Sequence, residues 1–157
     1  MNDTMQRQRS CDLSFHHDTH GEIRVLFEDP SPSVGRFTIW WRSYVWTHCW
    51  NAMGGLGVVD FFQRATSDYI IGKIIHGPSV VVDWGKINRA IGTCPRTGDE
   101  PDCRPSTAHL YATRLEELYG ADWPMDLPTK PNEIHVSAHQ VVDAIKVHLA
   151  ANPVDTA

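Results

Sequence analysis

The feature that most constrains this chain is a change of hydrophobic period at the glycine cluster Met53-Gly54-Gly55-Leu56-Gly57. Before it, apolar residues alternate with polar ones, the period of a half-buried strand; after it they recur at helical spacing. Glycine at the switch permits the sharp reorientation that joins the two halves. The pattern predicts an α+β fold, in which an N-terminal antiparallel sheet of about four strands packs on about four C-terminal helices.

In the front half, Cys11, Leu13 and Phe15 alternate with polar residues, and Ile23, Val25 and Phe27 do so again. Between them, Asp18-Thr19-His20-Gly21 has the composition of a tight turn, so the two runs predict a hairpin. Pro30, Pro32 and Gly35 punctuate a loop. A third run then places Phe37, Ile39 and Trp41 on one face and Thr38, Trp40 and Arg42 on the other. Tyr44, Trp46, His48 and Trp50 continue the alternation after a turn near Arg42 to Tyr44, giving a fourth strand. In the back half, helices are expected near 58–75, 80–91, 106–119 and 137–150, the third with Ser106 as its N-cap. Phe61, Ala65 and Ile70 fall on one face of the first and are expected to be buried. The stretch TCPRTGDEPDCRP between the second and third reads as an exposed loop.

With 157 residues and 41% apolar content, the chain is long enough for a real core. The expected organisation is a polar tail over 1–10, one α+β domain over 11–150 and a short tail over 151–157. The polar start and the charges that interrupt every apolar run suit a soluble, cytosolic chain without a membrane span. Cys11, Cys49, Cys94 and Cys103 are widely and irregularly spaced, which suits reduced thiols, although a Cys94–Cys103 pairing stays open. A formal net charge of −5 disfavours non-specific binding to a phosphate backbone.

Each possible chemical site has a plainer explanation beside it. His16, His17 and His20 are close enough in sequence to suggest zinc or copper ligands, yet a polar turn simply rich in histidine is the usual explanation. Cys94 and Cys103 lack knuckle spacing and have no partner pair, so no metal and no cofactor is expected. Ile134-His135-Val136-Ser137 resembles the H-x-S element of two-histidine phosphodiesterases, which need two such elements where this chain has one. Gly54 to Gly57 precede a helix as phosphate cradles do, but without the Lys and Ser/Thr ending of a P-loop. Glu116 and Glu117 are adjacent on a helix and point about 100° apart, a solvated face rather than an acid/base pair. No nucleophile elbow or Ser-x-x-Lys pair is present. Four of the six tryptophans fall between Trp40 and Trp50; in a strand they divide between a covered face and one free for recognition.

Trp50-Asn51-Ala52-Met53-Gly54, followed by Asp60-Phe61-Phe62 and Asp68-Tyr69-Ile70-Ile71-Gly72-Lys73, resembles a group of small proteins of unknown function encoded by tailed phages and prophages. In that group a strand bearing Trp and Tyr leads through a Met-Gly turn into a helix of similar sequence. The resemblance covers residues 36–75 and implies origin on a mobile element, acting in the host cytoplasm. It carries no catalytic residues to transfer. The expected function is therefore that of a non-enzymatic accessory protein that binds a host protein, such as a nucleic-acid-handling defence complex, with inhibition of a CRISPR effector (an anti-CRISPR) as its sharpest form. Trp40, Trp46 and Trp50, with Asp99, Glu100 and Asp102 of the exposed loop, are the candidate partner-binding residues. The alternatives are a small hydrolase or metal-dependent enzyme acting on nucleotides, using the His16/His17/His20 group or His135 and Ser137, and a single-stranded nucleic-acid-binding module built on the aromatic sheet.

Overall fold

A computed structural model describes residues 9–93 and 100–154. Cys94 and Asp99 lie outside the described residues, so nothing follows here about a Cys94–Cys103 pairing or the placement of Asp99. The chain divides into two compact units, Met1–Gly77 with Glu133–Ala157, and Pro78–Asn132.

The first unit is built on an antiparallel meander of β1 (Arg9–His17), β2 (Gly21–Ser31), β3 (Val34–Trp41) and β4 (Tyr44–Trp50), in the spatial order β1-β2-β3-β4. This is the expected sheet, with β1 beginning two residues into the expected tail. The expected loop is a two-residue turn at Pro32 and Ser33, with Pro30 and Gly35 inside the flanking strands. Strand β2 runs through Pro30, and its register with β3 shifts between Glu28 and Ser31, an irregularity that accommodates a residue unable to donate to the ladder. Ser33 then turns the chain in the left-handed region at φ 63.

One face of the sheet is core. Ile23, Val25, Phe27, Phe37 and Ile39 are fully buried, and Trp41, Trp46 and Trp50 nearly so. Phe62 meets Phe27 and Phe37 edge-on, each with ring centroids 5.2 Å apart, a preferred aromatic arrangement. Gly35 lies where strand and helix come closest. A Cβ there would sit 2.6 Å from Met53 Sδ and 2.7 Å from Val58 Cβ, so only glycine fits without repacking.

The expected helix over 58–75 is two helices, α1 (Val58–Arg64) and α2 (Ser67–Ile74). Ala65 and Thr66 are both extended, and the Thr66 hydroxyl accepts a hydrogen bond from Tyr69 N at 3.2 Å, so the break is a designed N-cap. Lys146 closes the other side of the break by donating to the Gln63 and Ala65 carbonyls. Phe62 of α1 is fully buried in the core. Of the three residues expected to be buried there, Ile70 is, while Phe61 and Ala65 are only partly so. Helix α6 (Glu133–Ala151) starts four residues before the expected 137 and buries Val141, Val142, Ile145 and Leu149.

The second unit has its own small core of Ile87, Ile91, Cys103, Ala108, Tyr111 and Leu115. The helix expected over 80–91 is a strand, β5 (Val80–Val82), followed by α3 (Trp84–Ile91). Three consecutive β-branched valines favour the strand, and the Asp83 carboxylate caps α3 by accepting from Lys86 N at 2.9 Å. β5 pairs with β6 (Thr129–Pro131), a ladder of three residues too short for a periodicity signal. The helix expected over 106–119 is a 3₁₀ turn, Ala108–Tyr111, followed by α4 (Ala112–Tyr119), with a short α5 (Trp123–Asp126) beyond. Ser106 caps neither element. Thr107 takes the local role, accepting from Arg104 N and donating to the Asp102 carbonyl.

Candidate functional site

Strand geometry sends alternate side chains to opposite faces, so burying Trp41 in β3 places Trp40 on the outer face of the sheet. The register fixes its neighbours. Arg24, Trp40 and Val45 form one cross-strand row, Leu26, Thr38 and Thr47 the next, and Glu28, Arg36 and Cys49 the third. No described helix of the first unit lies over these rows: Trp40 and Leu26 are half-buried, and Val45 is 58% exposed.

Arg24 lies over the Trp40 ring at 5.1 Å, a cation–π contact. The same guanidinium is held by Asp12 through two bonds of 3.0 and 2.6 Å. Arg36 is held by Glu28 in the same bidentate way, at 2.7 and 2.9 Å. The arginine beside each carboxylate holds Asp12 and Glu28 below the usual carboxylate range through its hydrogen bonds. Exposed ion pairs of this kind add little to stability, but they fix two rigid polar borders around an apolar strip of Leu26, Trp40 and Val45. The Thr38 and Thr47 hydroxyls bond at 3.1 Å within that strip.

At the end of the face near the two hairpin turns, a hollow of about 720 Å³ is lined by Trp40, Trp41, His20 and Arg42. Arg42 sits over Trp41 at 4.6 Å from a left-handed backbone, φ 53. Trp41 donates from Nε1 to the His20 carbonyl at 2.9 Å. Burial, with the nearby His17 and Arg42, pushes the His20 imidazole below its ordinary value.

The structure separates the residues singled out by sequence. Trp46 and Trp50, each 5% exposed, are core, whereas Trp40 is half-buried on the outer face of the sheet. Glu100 and Asp102 are exposed in the second unit, where Asp102 pairs with Arg104 at 2.8 Å. Leu26, Arg24, Arg36, Val45 and Thr47 were not anticipated. Their signal was the two-residue period carried through the register, legible once the β2–β3 and β3–β4 turns are known.

The alternative chemistries find no assembled site among the described residues. His16 and His17 are neighbours on a strand and face opposite sides, while His17 stacks on His20 at 4.6 Å. No group of three His, Cys, Asp or Glu residues among those described is placed to hold a metal ion. His135 lies in the first turn of a helix, not on a strand, and its Nε2 is 3.2 Å from the Gly77 carbonyl. Ahead of α1, the Asp29 carboxylate accepts from Val58 N at 2.9 Å, so the glycine-rich turn presents a fixed negative charge where a phosphate would sit. No described helix is long and apolar enough to cross a membrane.

Comparison with curated proteins and with solved structures gives no match. A family model described as "Phage family" matches residues 5–151, nearly the whole chain and far more than the 36–75 segment that carries the resemblance in sequence, and this protein belongs to that phage family.

Proposed function

We propose that this phage protein acts by binding a host protein in the cytoplasm of the infected cell, through the outer face of its four-stranded sheet with Trp40 at the centre. The observation that carries this reading is the uncovered strip of Leu26, Trp40 and Val45, bordered by the Asp12–Arg24 and Glu28–Arg36 pairs. An apolar, aromatic centre with a polar rim is the anatomy of a protein–protein interface. Inhibition of a nucleic-acid-handling defence complex, a CRISPR effector being the sharpest case, is the biological form in which a phage would use such a surface. Direct nucleic-acid binding is disfavoured across the strip, because Arg24 and Arg36 are already held bidentately and a phosphate would have to displace a carboxylate from each. Glu100 and Asp102 supply long-range steering toward a basic partner, a contribution to association rate rather than to the contact itself.

The test compares affinity capture from infected-host lysate by the wild type and by a Trp40→Ala, Val45→Lys variant, followed by direct binding to the purified captured protein. The reading expects a partner retained by the wild type and lost by the variant while thermal stability stays near wild type. Equal capture by both proteins, or no partner together with nucleotide turnover abolished by His135→Ala, would overturn it.

A further inference from the structure

We propose that the protein forms a symmetric dimer by antiparallel pairing of β1 with β1 of a second copy, which makes one continuous eight-stranded sheet. Strand β1 is an edge: among the described residues its only strand neighbour is β2. Its nine residues pair with β2 without a bulge, and they include neither lysine nor proline. These are among the devices by which sheet edges are ordinarily blocked; β1 carries charge only at Arg9 and Asp12, so the stretch from Leu13 onward can take another strand. The inward-facing residues carry the same message. Cys11, Leu13 and Phe15 are only partly buried, although Ile23, Val25 and Phe27 beside them on β2 are wholly so. The core row is left incomplete at this edge.

What selects a second copy as the occupant is the order of residues in the strand itself. Antiparallel pairing about a two-fold axis at Leu13 sets residue against residue with numbers summing to a constant. Leu13 then meets Leu13, Cys11 meets Phe15, and on the outer face Asp12 meets Ser14 and Ser10 meets His16. Cys11, Leu13 and Phe15 face apolar residues on the inner side, with Arg9 and His17 opposed at its two ends, and no like charges are opposed on the outer side. A shift of the axis to Asp12 would oppose two carboxylates, which disfavours that register. The pairing leaves the outer face free and presents two copies of the Trp40 surface on one sheet. With five strand spacings between the two β3 strands, those surfaces lie about 24 Å apart. A partner that is itself repeated would be held by both.

Sedimentation equilibrium of the full chain across a range of concentrations tests the mass, and two variants test the place. Wild type is expected to reach twice its 17.7 kDa, and Leu13→Lys, which puts a charge on the axis, is expected to stay at the single mass. Leu13→Cys preserves the strand and sets two thiols face to face on the axis; mild oxidation is expected to give a covalent dimer in high yield, while Thr47→Cys on β4 gives no more than the wild-type background. A wild type monomeric throughout, or a dimer in which Leu13→Cys cross-links no better than Thr47→Cys, overturns the proposal. A monomer whose β1 edge instead takes a strand from a host protein, seen as host binding lost in Leu13→Lys, overturns it equally.

Discussion

Gly35→Ala is the smallest change that interrogates how the sheet and helices of the first unit fit together. The backbone at Gly35 needs no positive φ, so alanine is conformationally acceptable and the effect is one of packing. The added methyl would lie 2.6 Å from both Met53 Cε and Sδ and 2.7 Å from Val58 Cβ. The thioether can swing away, but Val58 Cβ is attached directly to the first turn of α1, whose N–H is fixed by Asp29. Helix and strand must therefore separate locally. Overpacking of this kind costs about 1–3 kcal/mol, while the smaller entropy of an unfolded alanine returns about 0.4–1 kcal/mol. The expected net loss is about 1–2 kcal/mol, or roughly 2–8 °C in melting temperature for a chain of this length. Denaturant melts should show it without a change in m. In a double-mutant cycle with Met53→Ala, the pair should be less destabilised than the sum of the single changes, with a coupling of about 0.5–2 kcal/mol. Val58→Ala should give no such relief, because alanine keeps the Cβ that clashes. A Gly35→Ala protein that melts with wild type, or strict additivity with Met53→Ala, would refute the reasoning.

Three further outcomes follow from the same packing. Phe62→Ala should cost about 3–5 kcal/mol and Phe61→Ala clearly less, since Phe62 is fully buried and Phe61 only partly so; equal losses by chemical denaturation would contradict the division of α1 from α2. Trp41→Phe should cost about 1 kcal/mol more than Trp50→Phe, because the Trp41 indole N–H bonds the His20 carbonyl whereas the buried Trp50 N–H has no hydrogen-bond partner among the described residues; the reverse order in melts would tell against it. Burial, reinforced by Lys73 and His76, pushes the His48 imidazole below its usual 6.5, so the unfolded chain binds the extra proton first. Stability is then whole above about pH 6.5 and falls as pH drops toward the folded value. His48→Gln should flatten part of that decline in melting temperature, leaving the share due to His20, which shifts in the same direction; an unchanged profile would rule His48 out.

The sheet was legible in the sequence because strand period, turn chemistry and burial agree from Cys11 to Trp50. The same alternation correctly divides Trp40 from Trp41. It could not tell which face the helices cover, because Trp46 and Trp50 are as suited to an interface as to a core; the answer lies in α1 and α2, whose Phe61, Phe62 and Tyr69 meet Phe37 and Trp50. Helix boundaries failed where a single side chain overrides periodicity. Thr66 caps a second helix inside an unbroken apolar stripe, and Asp83 starts α3 only after three valines have formed a strand. The histidines failed as a site for a related reason: closeness in sequence places His16 and His17 on opposite faces of β1.

The outer sheet face is proposed to hold a host protein through Trp40. The most direct measurement is the dissociation rate of the purified complex for wild type and Trp40→Ala. A central aromatic hot spot contributes at least about 2 kcal/mol, so the variant should dissociate roughly 30-fold faster with little change in association rate. Unchanged dissociation from Trp40→Ala, with the partner still bound, would place the interface elsewhere on the molecule and contradict the claim.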